Sequence, residues 1–303
     1  MWKFYLLLLC TSVLWAGNFV AGKFLVGHAS PLVLTDMRWI AAILCLLPVV
    51  WWKDRKLLPA RQAIGSLIWM GFTGVVLFNL FMFLALERTT ADNVGLLSAL
   101  NPVAIAIVSF FLLKERMSGR QVIGMFVSLL GVVVVISHGD IGRIMHLHLN
   151  LGDVYMMCAV ASWGFYSVAG RRAMRYVSPY MSTLWAGIFG VVMLLPFTAS
   201  SFTIVNPTPS FWLATVYASV GATVLAMLFW NIGVQRVGGT KSGVFLNFNP
   251  IFTALLSFWL LGEAMTAVQY AGAALVISGV YLFTAPSRGG KRLAATKPMK
   301  AEV

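Results

Sequence analysis

The side chains in this sequence with the chemistry to hold a solute sit inside apolar runs. Trp15 and Asn18 lie one turn apart in the first run, and Trp163 and Tyr166 hold the equivalent places in the sixth. Asn79, Asn101, Asn247 and Asn249 add amides at similar depth, and Trp230 with Asn231 adds an indole and an amide. An amide binds carboxylate or ammonium, and a ring face holds a cation. Aromatic walls with a few amides therefore suit a neutral, zwitterionic or weakly cationic solute. These ten residues form the expected substrate-binding set. Each alone also fits ordinary helix packing, so the set argues better than any member.

Arg38 is the only basic residue well inside a run. A charge there costs about 2.5–3.5 kcal/mol at the bilayer centre and less near the interface. We read Arg38 as a structural or gate residue, with carboxylate binding as the alternative. Asp36 falls on the wrong side of a helix to pair with it. Lys23 reads as snorkelling to the interface. No Asp or Glu lies deep in a run, which argues against a carboxylate proton relay. Glu115 reads as an interfacial ion pair with its neighbours Lys114 and Arg116, and Glu263 as a helix-start residue favoured by the positive dipole end.

No catalytic set is visible: no Gly-rich phosphate loop, no His pair at metal spacing, no Ser or Cys beside a base. His138, His146 and His148 share one loop without metal-site spacing. No enzyme activity, cofactor or metal is expected. Cys10, Cys45 and Cys158 fall inside apolar runs and suggest no disulfide framework.

The elements that position these groups follow from composition. Of 303 residues, 60% are hydrophobic and 10% charged, against about a quarter charged in soluble domains. Apolar runs of about 20 residues, the length that crosses a bilayer, recur throughout. We count ten, at residues 4–25, 32–52, 64–86, 92–113, 119–137, 151–172, 180–199, 211–233, 240–261 and 267–285. The expected fold is an all-α membrane protein of ten transmembrane helices. The first run lacks a small-x-small cleavage site and reads as a retained helix.

Eighteen of the 22 Lys and Arg residues fall in segments that are cytoplasmic if both termini are. Lys23, Arg88 and Arg143 fall outside, and Arg38 lies within the second run. That bias is the positive-inside signature, so the net charge of +13 is mainly a topology signal. Nucleic acid is not an expected partner, because the charges are scattered over short loops.

The run NPVAIAIVSFFLLKE (101–115) returns as NPIFTALLSFWLLGE (249–263). With the offset of 148, 14 of the 47 positions in 91–137 match 239–285, among them Gly95/Gly243, Asn101/Asn249, Pro102/Pro250, Gln121/Gln269 and Gly131/Gly279. Trp15/Trp163, Pro31/Pro179 and Pro48/Pro196 obey the same offset. Two halves of five spans each must enter the membrane from opposite sides. Inverted repeats of this kind mark secondary transporters, with the substrate site at the repeat interface. The expected division is 1–137, a linker loop at 138–150, 151–285, and a disordered tail at 286–303. Pro102 and Pro250 each lack a backbone donor and clash with the carbonyl one turn back, so we expect kinked, cavity-facing spans hinged at both Asn-Pro pairs. Gly124, Ser128 and Gly131 form a small-residue stripe that lets helices approach closely.

These segments, with LWAGNFVAGKFL (14–25), resemble the paired EamA domains of the drug/metabolite transporter superfamily. The resemblance covers 4–285. It implies ten spans in two inverted repeats and the movement of small metabolites, often outward, with amino-acid exporters among the members of similar layout. The expectation is an inner-membrane exporter of amino acids or similar small metabolites, embedded in lipid, with a homodimer possible. A carrier of another small solute is the alternative, and a sensor or intramembrane enzyme a lesser one.

Overall fold

Capping chemistry sets the helix starts, and it repeats between the halves. Ser30 and Ser178 each accept a hydrogen bond from the backbone three residues on (Val33 N–H, 3.4 Å; Met181 N–H, 3.0 Å), and each precedes a proline in the first turn. A proline there loses no hydrogen bond and presets φ. Thr266 and Gln269 close a capping box, and Ser118 and Gln121 exchange the same two bonds 148 positions earlier.

The computed structural model describes residues 2–89, 91–137, 150–200, 202–261 and 266–285. Among them the chain is helical, with no strand beyond one isolated bridge between Val26 and Ala29. The helices are α1 (Trp2–Lys23), α2 (Pro31–Asp54), α3 (Arg61–Arg88), α4 (Ala91–Ser98), α5 (Asn101–Leu113), α6 (Gly119–Ser137), α7 (Leu151–Ala173), α8 (Pro179–Thr198), α9 (Pro209–Val237), α10 (Gly239–Gly243), α11 (Asn249–Leu261) and α12 (Ala267–Thr284). Glu263, the three loop histidines, the linker at 138–149 and the tail from 286 lie outside the described residues.

Among the described residues, six helices are long and apolar enough to cross a membrane: α1, α2, α3, α8, α9 and α12. The other four expected runs differ for physical reasons. The fourth and ninth are broken at Asn-Pro, leaving α5 and α11 with 13 residues each. The apolar stretch of α6, Gly119–Val135, is short. The run that forms α7 carries Asp153, Ser162, Trp163, Tyr166, Ser167, Arg171 and Arg172, which dilute its apolar character.

The packing exchanges the halves. α1 lies on α9, and α7 lies on α3; α1 touches α11, and α7 touches α5. α2 pairs with α8, and α6 with α12. Small residues set the closeness of this last pair. A Cβ at Gly131 would lie 2.6 Å from the Val276 nitrogen, and one at Gly279 2.4 Å from the Ser128 nitrogen. Large apolar side chains such as Leu44, Phe111, Phe126 and Tyr281 face outward, while Asn18, Arg38, Asn79, Asn101, Asn247 and Asn249 are buried. A soluble protein shows the reverse arrangement.

Two departures from regular helix matter most. Both α3 and α9 pass through a π-helical segment, at Gly71–Leu77 and Tyr217–Leu225. Such bulges cluster at functional sites. The Asn-Pro pairs correct our expectation of proline kinks inside continuous helices. In the first half the chain leaves the helix before its proline, and in the second half the helix tightens to a 3-10 turn before its proline without ending. α4 ends at Ser98, two turn residues follow, and Pro102 sits in the first turn of α5. In the second half a 3-10 segment, Val244–Phe248, precedes α11 and Pro250.

Candidate functional site

A small central cavity of about 30 Å³ lies where both halves meet. α1 supplies Trp15, Asn18 and Phe19, α2 Arg38, and α3 Phe78, Asn79 and Met82. Asn101 and Asn249 reach it from the starts of α5 and α11, opposite ends of the repeat offset. Trp163 of α7 and Met227 of α9 complete the wall with Leu246. The broken spans place two amides here because each helix begins at its asparagine.

Aromatic contacts fix the wall. Trp15 meets Trp163 edge-on at 5.0 Å, and Phe78 lies 5.0 Å from Trp163. Trp230 sits 5.6 Å from both indoles, behind them. Such pairs contribute about 0.5–1.5 kcal/mol each beyond area burial. Trp15 Nε1 donates to the Ala222 carbonyl at 2.9 Å, an acceptor within the π-helical segment of α9.

The same segments hold the buried cation. Asn79 Nδ2 donates to the carbonyls of Gly74 (3.1 Å) and Val75 (2.8 Å) in the first π-helical segment. Its Oδ1 accepts from Arg38 Nη1 at 3.2 Å. In the second segment Thr223 Oγ1 donates to the Ala218 carbonyl at 2.7 Å and accepts from Arg38 Nε. Arg38 thus bonds Thr223 within one irregular turn and Asn79 just after the other, and both acceptors are neutral. Asp36 turns away and accepts from Thr198 of α8, as its helical position predicted.

Three residues that line the cavity each carry a buried polar atom with no protein partner: Asn101 (Oδ1), Asn249 (Oδ1) and Trp163 (Nε1). A buried unpartnered polar group costs about 1–3 kcal/mol.

A family model describing the EamA-like transporter family matches residues 2–137 and 150–285. This chain belongs to the EamA-like transporter family. An uncharacterized transporter of Bacillus subtilis, YyaM, is 31% identical over 91% of this chain and 92% of its own. A probable amino-acid metabolite efflux pump of Salmonella typhimurium is 25% identical over 91% of this chain and 93% of its own. An uncharacterized inner membrane transporter of the same organism, YicL, is 27% identical over 94% and 96%. One crystal structure, at 22% identity, superposes with a TM-score of 0.72 over 93% of this chain and 97% of the other. The family and these relatives are transporters, not enzymes.

Within this EamA-family chain, six of the ten expected site residues line the cavity: Trp15, Asn18, Asn79, Asn101, Trp163 and Asn249. Four do not. Trp230 backs the wall. Tyr166 stacks on Trp163 at 4.7 Å and crowds Gly74, where a Cβ would lie 2.1 Å from its ring. Asn231 Nδ2 donates to Tyr166 Oη (3.1 Å) and Thr183 Oγ1 (2.9 Å), closing a self-contained cluster. Asn247 Nδ2 donates to Ser128 Oγ at 2.9 Å, toward α6.

Arg38 lines the cavity itself, alongside Phe78, which the sequence reading missed. The pattern of two π-helical segments was missed as well. Gly74 in the third run and Gly221 in the eighth are the available signals, and they are weak. Glu115 corrects another expectation. Its ion-pair partner is Arg171 of the second half, not Lys114 or Arg116, and Thr240 Oγ1 donates to it at 3.5 Å. Sequence neighbours do not face one another, whereas Arg171 comes from a helix that packs on α5. This pair lines a separate, more open cavity of about 540 Å³ with Lys114, Arg116 and Lys241.

Proposed function

We propose that this chain is a secondary transporter that exports amino acids or similar small metabolites across the inner membrane by alternating access. One observation carries the reading. The central cavity is walled by both halves, three of its lining residues each carry a buried polar atom that no protein group satisfies, and it has room for only about one or two waters. Ligand pockets usually measure about 300–1,000 Å³. Polar groups kept unsatisfied around so small a space fit an occluded state of a site that opens to each side in turn.

The amphiphilic walls suit a small zwitterion, and one relative is named as an amino-acid metabolite efflux pump. The wider architecture in this reading is ten spans, with 1–137 and 151–285 as inverted repeats joined by an outer linker. α4 with α5, and α10 with α11, each form one broken span. Both termini face the cytoplasm.

Purified protein in liposomes, screened against labelled amino acids and sugars, tests the function. Counterflow of at least one amino acid is expected, and movement of sugars alone overturns the substrate class. Tag accessibility in intact cells tests the topology: a carboxyl-terminal tag reached by impermeant reagent from outside rules out the ten-span arrangement.

A further inference from the structure

The cation at the centre of the molecule has no anion among the described side chains. Arg38 is 5% exposed and lines the cavity. Its two bonds go to neutral oxygens, Thr223 Oγ1 and Asn79 Oδ1. A guanidinium carries five N–H donors, so donors remain. The carboxylates whose side chains are described are all engaged elsewhere. Asp36 takes Thr198, Asp54 takes Ser178, Glu87 takes Arg88, Glu115 takes Arg171, and Asp153 takes the Asn150 backbone. An ionised side chain removed from water without a counter-charge is among the costliest features a fold can hold. The planar guanidinium fork matches a carboxylate with two parallel bonds, which no ammonium reproduces.

We infer that Arg38 anchors the carboxylate of the transported solute. The inference rests on the reading of this cavity as the solute site, and it narrows the substrate class to carboxylate-bearing small molecules. Neighbouring groups fit the rest of an α-amino acid. Asn101 and Asn249 line the same cavity, and each carries a buried Oδ1 acceptor without a donor, a group suited to an ammonium. Trp163 Nε1 is a free donor for a second carboxylate contact. A solute carboxylate also relieves Arg38 of its missing counter-charge, so binding stabilises the protein. A cationic amine without a carboxylate meets a like charge instead.

The test compares acids with their matched amides on the full-length protein. The probes are the proteinogenic L-amino acids, short 2-oxo acids, and the corresponding amides. Binding is read as a ligand-dependent rise in melting temperature, and movement as counterflow in liposomes. Acids are expected to bind roughly 10- to 100-fold more tightly than their amides, the worth of a charge-assisted bond. Arg38→Gln should abolish the preference, and Arg38→Lys should keep part of it, holding the charge but losing the fork. If Arg38→Gln does not fold, the acid–amide comparison on the unaltered protein decides alone. Amides bound as tightly as acids overturn the assignment, as does an acid preference that survives Arg38→Gln. A panel in which no acid binds also overturns it. Acids that bind through Arg38 but never cross the liposome keep the anchor and overturn the transport reading. Solutes that cross regardless of Arg38 do the opposite.

Discussion

Two polar clusters of similar composition lie against the central aromatic wall. In one, Tyr166, Asn231 and Thr183 bond to one another: Asn231 reaches the phenol at 3.1 Å and the threonine hydroxyl at 2.9 Å. In the other, Asn101, Asn249 and Trp163 border the cavity and leave a buried oxygen, oxygen and indole N–H unmet. Both clusters combine amides with aromatic groups inside apolar helices. The difference is what completes them. The first is finished by the protein and acts as a fastener. The second is left unfinished by the protein and borders the cavity, and our proposal of a binding place rests on that.

The comparison breaks most sharply in transport. Asn101→Leu with Asn249→Leu removes two acceptors that the fold does not use. Transport per folded molecule should fall by roughly 10- to 100-fold, since two hydrogen bonds of about 0.5–1.5 kcal/mol each, more to a charged ammonium, are lost. Melting temperature should hold or rise, because unsatisfied buried polar groups are gone. Counterflow and thermal melting on one preparation check both halves of this claim. Loss of folding in place of transport places these amides with the fasteners.

Asn231→Leu should do the reverse. It strands the Tyr166 and Thr183 hydroxyls and should cost about 1–3 kcal/mol of stability, seen as a lower melting temperature. Transport per folded molecule should stay within about twofold. A large transport loss with unchanged melting moves Asn231 into the binding set.

The smallest expected effect concerns the breaks that deliver the amides. Pro102 and Pro250 occupy first helical turns, where alanine is tolerated at little cost. Each substitution makes the preceding break easier to bridge with regular helix. Because the repeats are inverted in our reading, Pro102→Ala and Pro250→Ala should shift cavity accessibility in opposite directions. Labelling of a cysteine placed at Asn18, from either side and in a background without Cys10, Cys45 and Cys158, reports the shift. Identical labelling in both variants makes the breaks static.

Much of this was legible in the sequence because it is periodic or repeated. The 148-residue offset predicted the matched starts of α2 and α8 and of α6 and α12. Trp15 and Trp163, read as a pair from that offset, meet at 5.0 Å. What depends on partners far along the chain was not legible. Nothing near Asn231 says that Thr183 and Tyr166 will satisfy it, and nothing near Asn247 points to Ser128. The Asn-Pro signal was read as a kink in both spans, whereas the first half restarts its helix at Asn101 and only the second runs on through a tightened turn, because residue order alone does not say whether a helix bends near a proline or restarts at it. Arg38 was seen as an oddity of the second run. Its place in the cavity follows from π-helical segments in α3 and α9, which leave carbonyls for Asn79 and Thr223 and so turn both residues toward it.

The hydrogen bonds of Arg38 also have an order in time. Asn79 is synthesised 41 residues after it, and Thr223 185 residues after it. The second span must therefore enter the bilayer carrying an arginine that has neither partner. Its 24 residues, with a mean hydropathy of 1.9 over their most apolar window, outweigh an insertion cost of about 2.5–3.5 kcal/mol for a central arginine. Only when α9 is made can the guanidinium gain its second bond, so the centre cannot close until the second half is well under way.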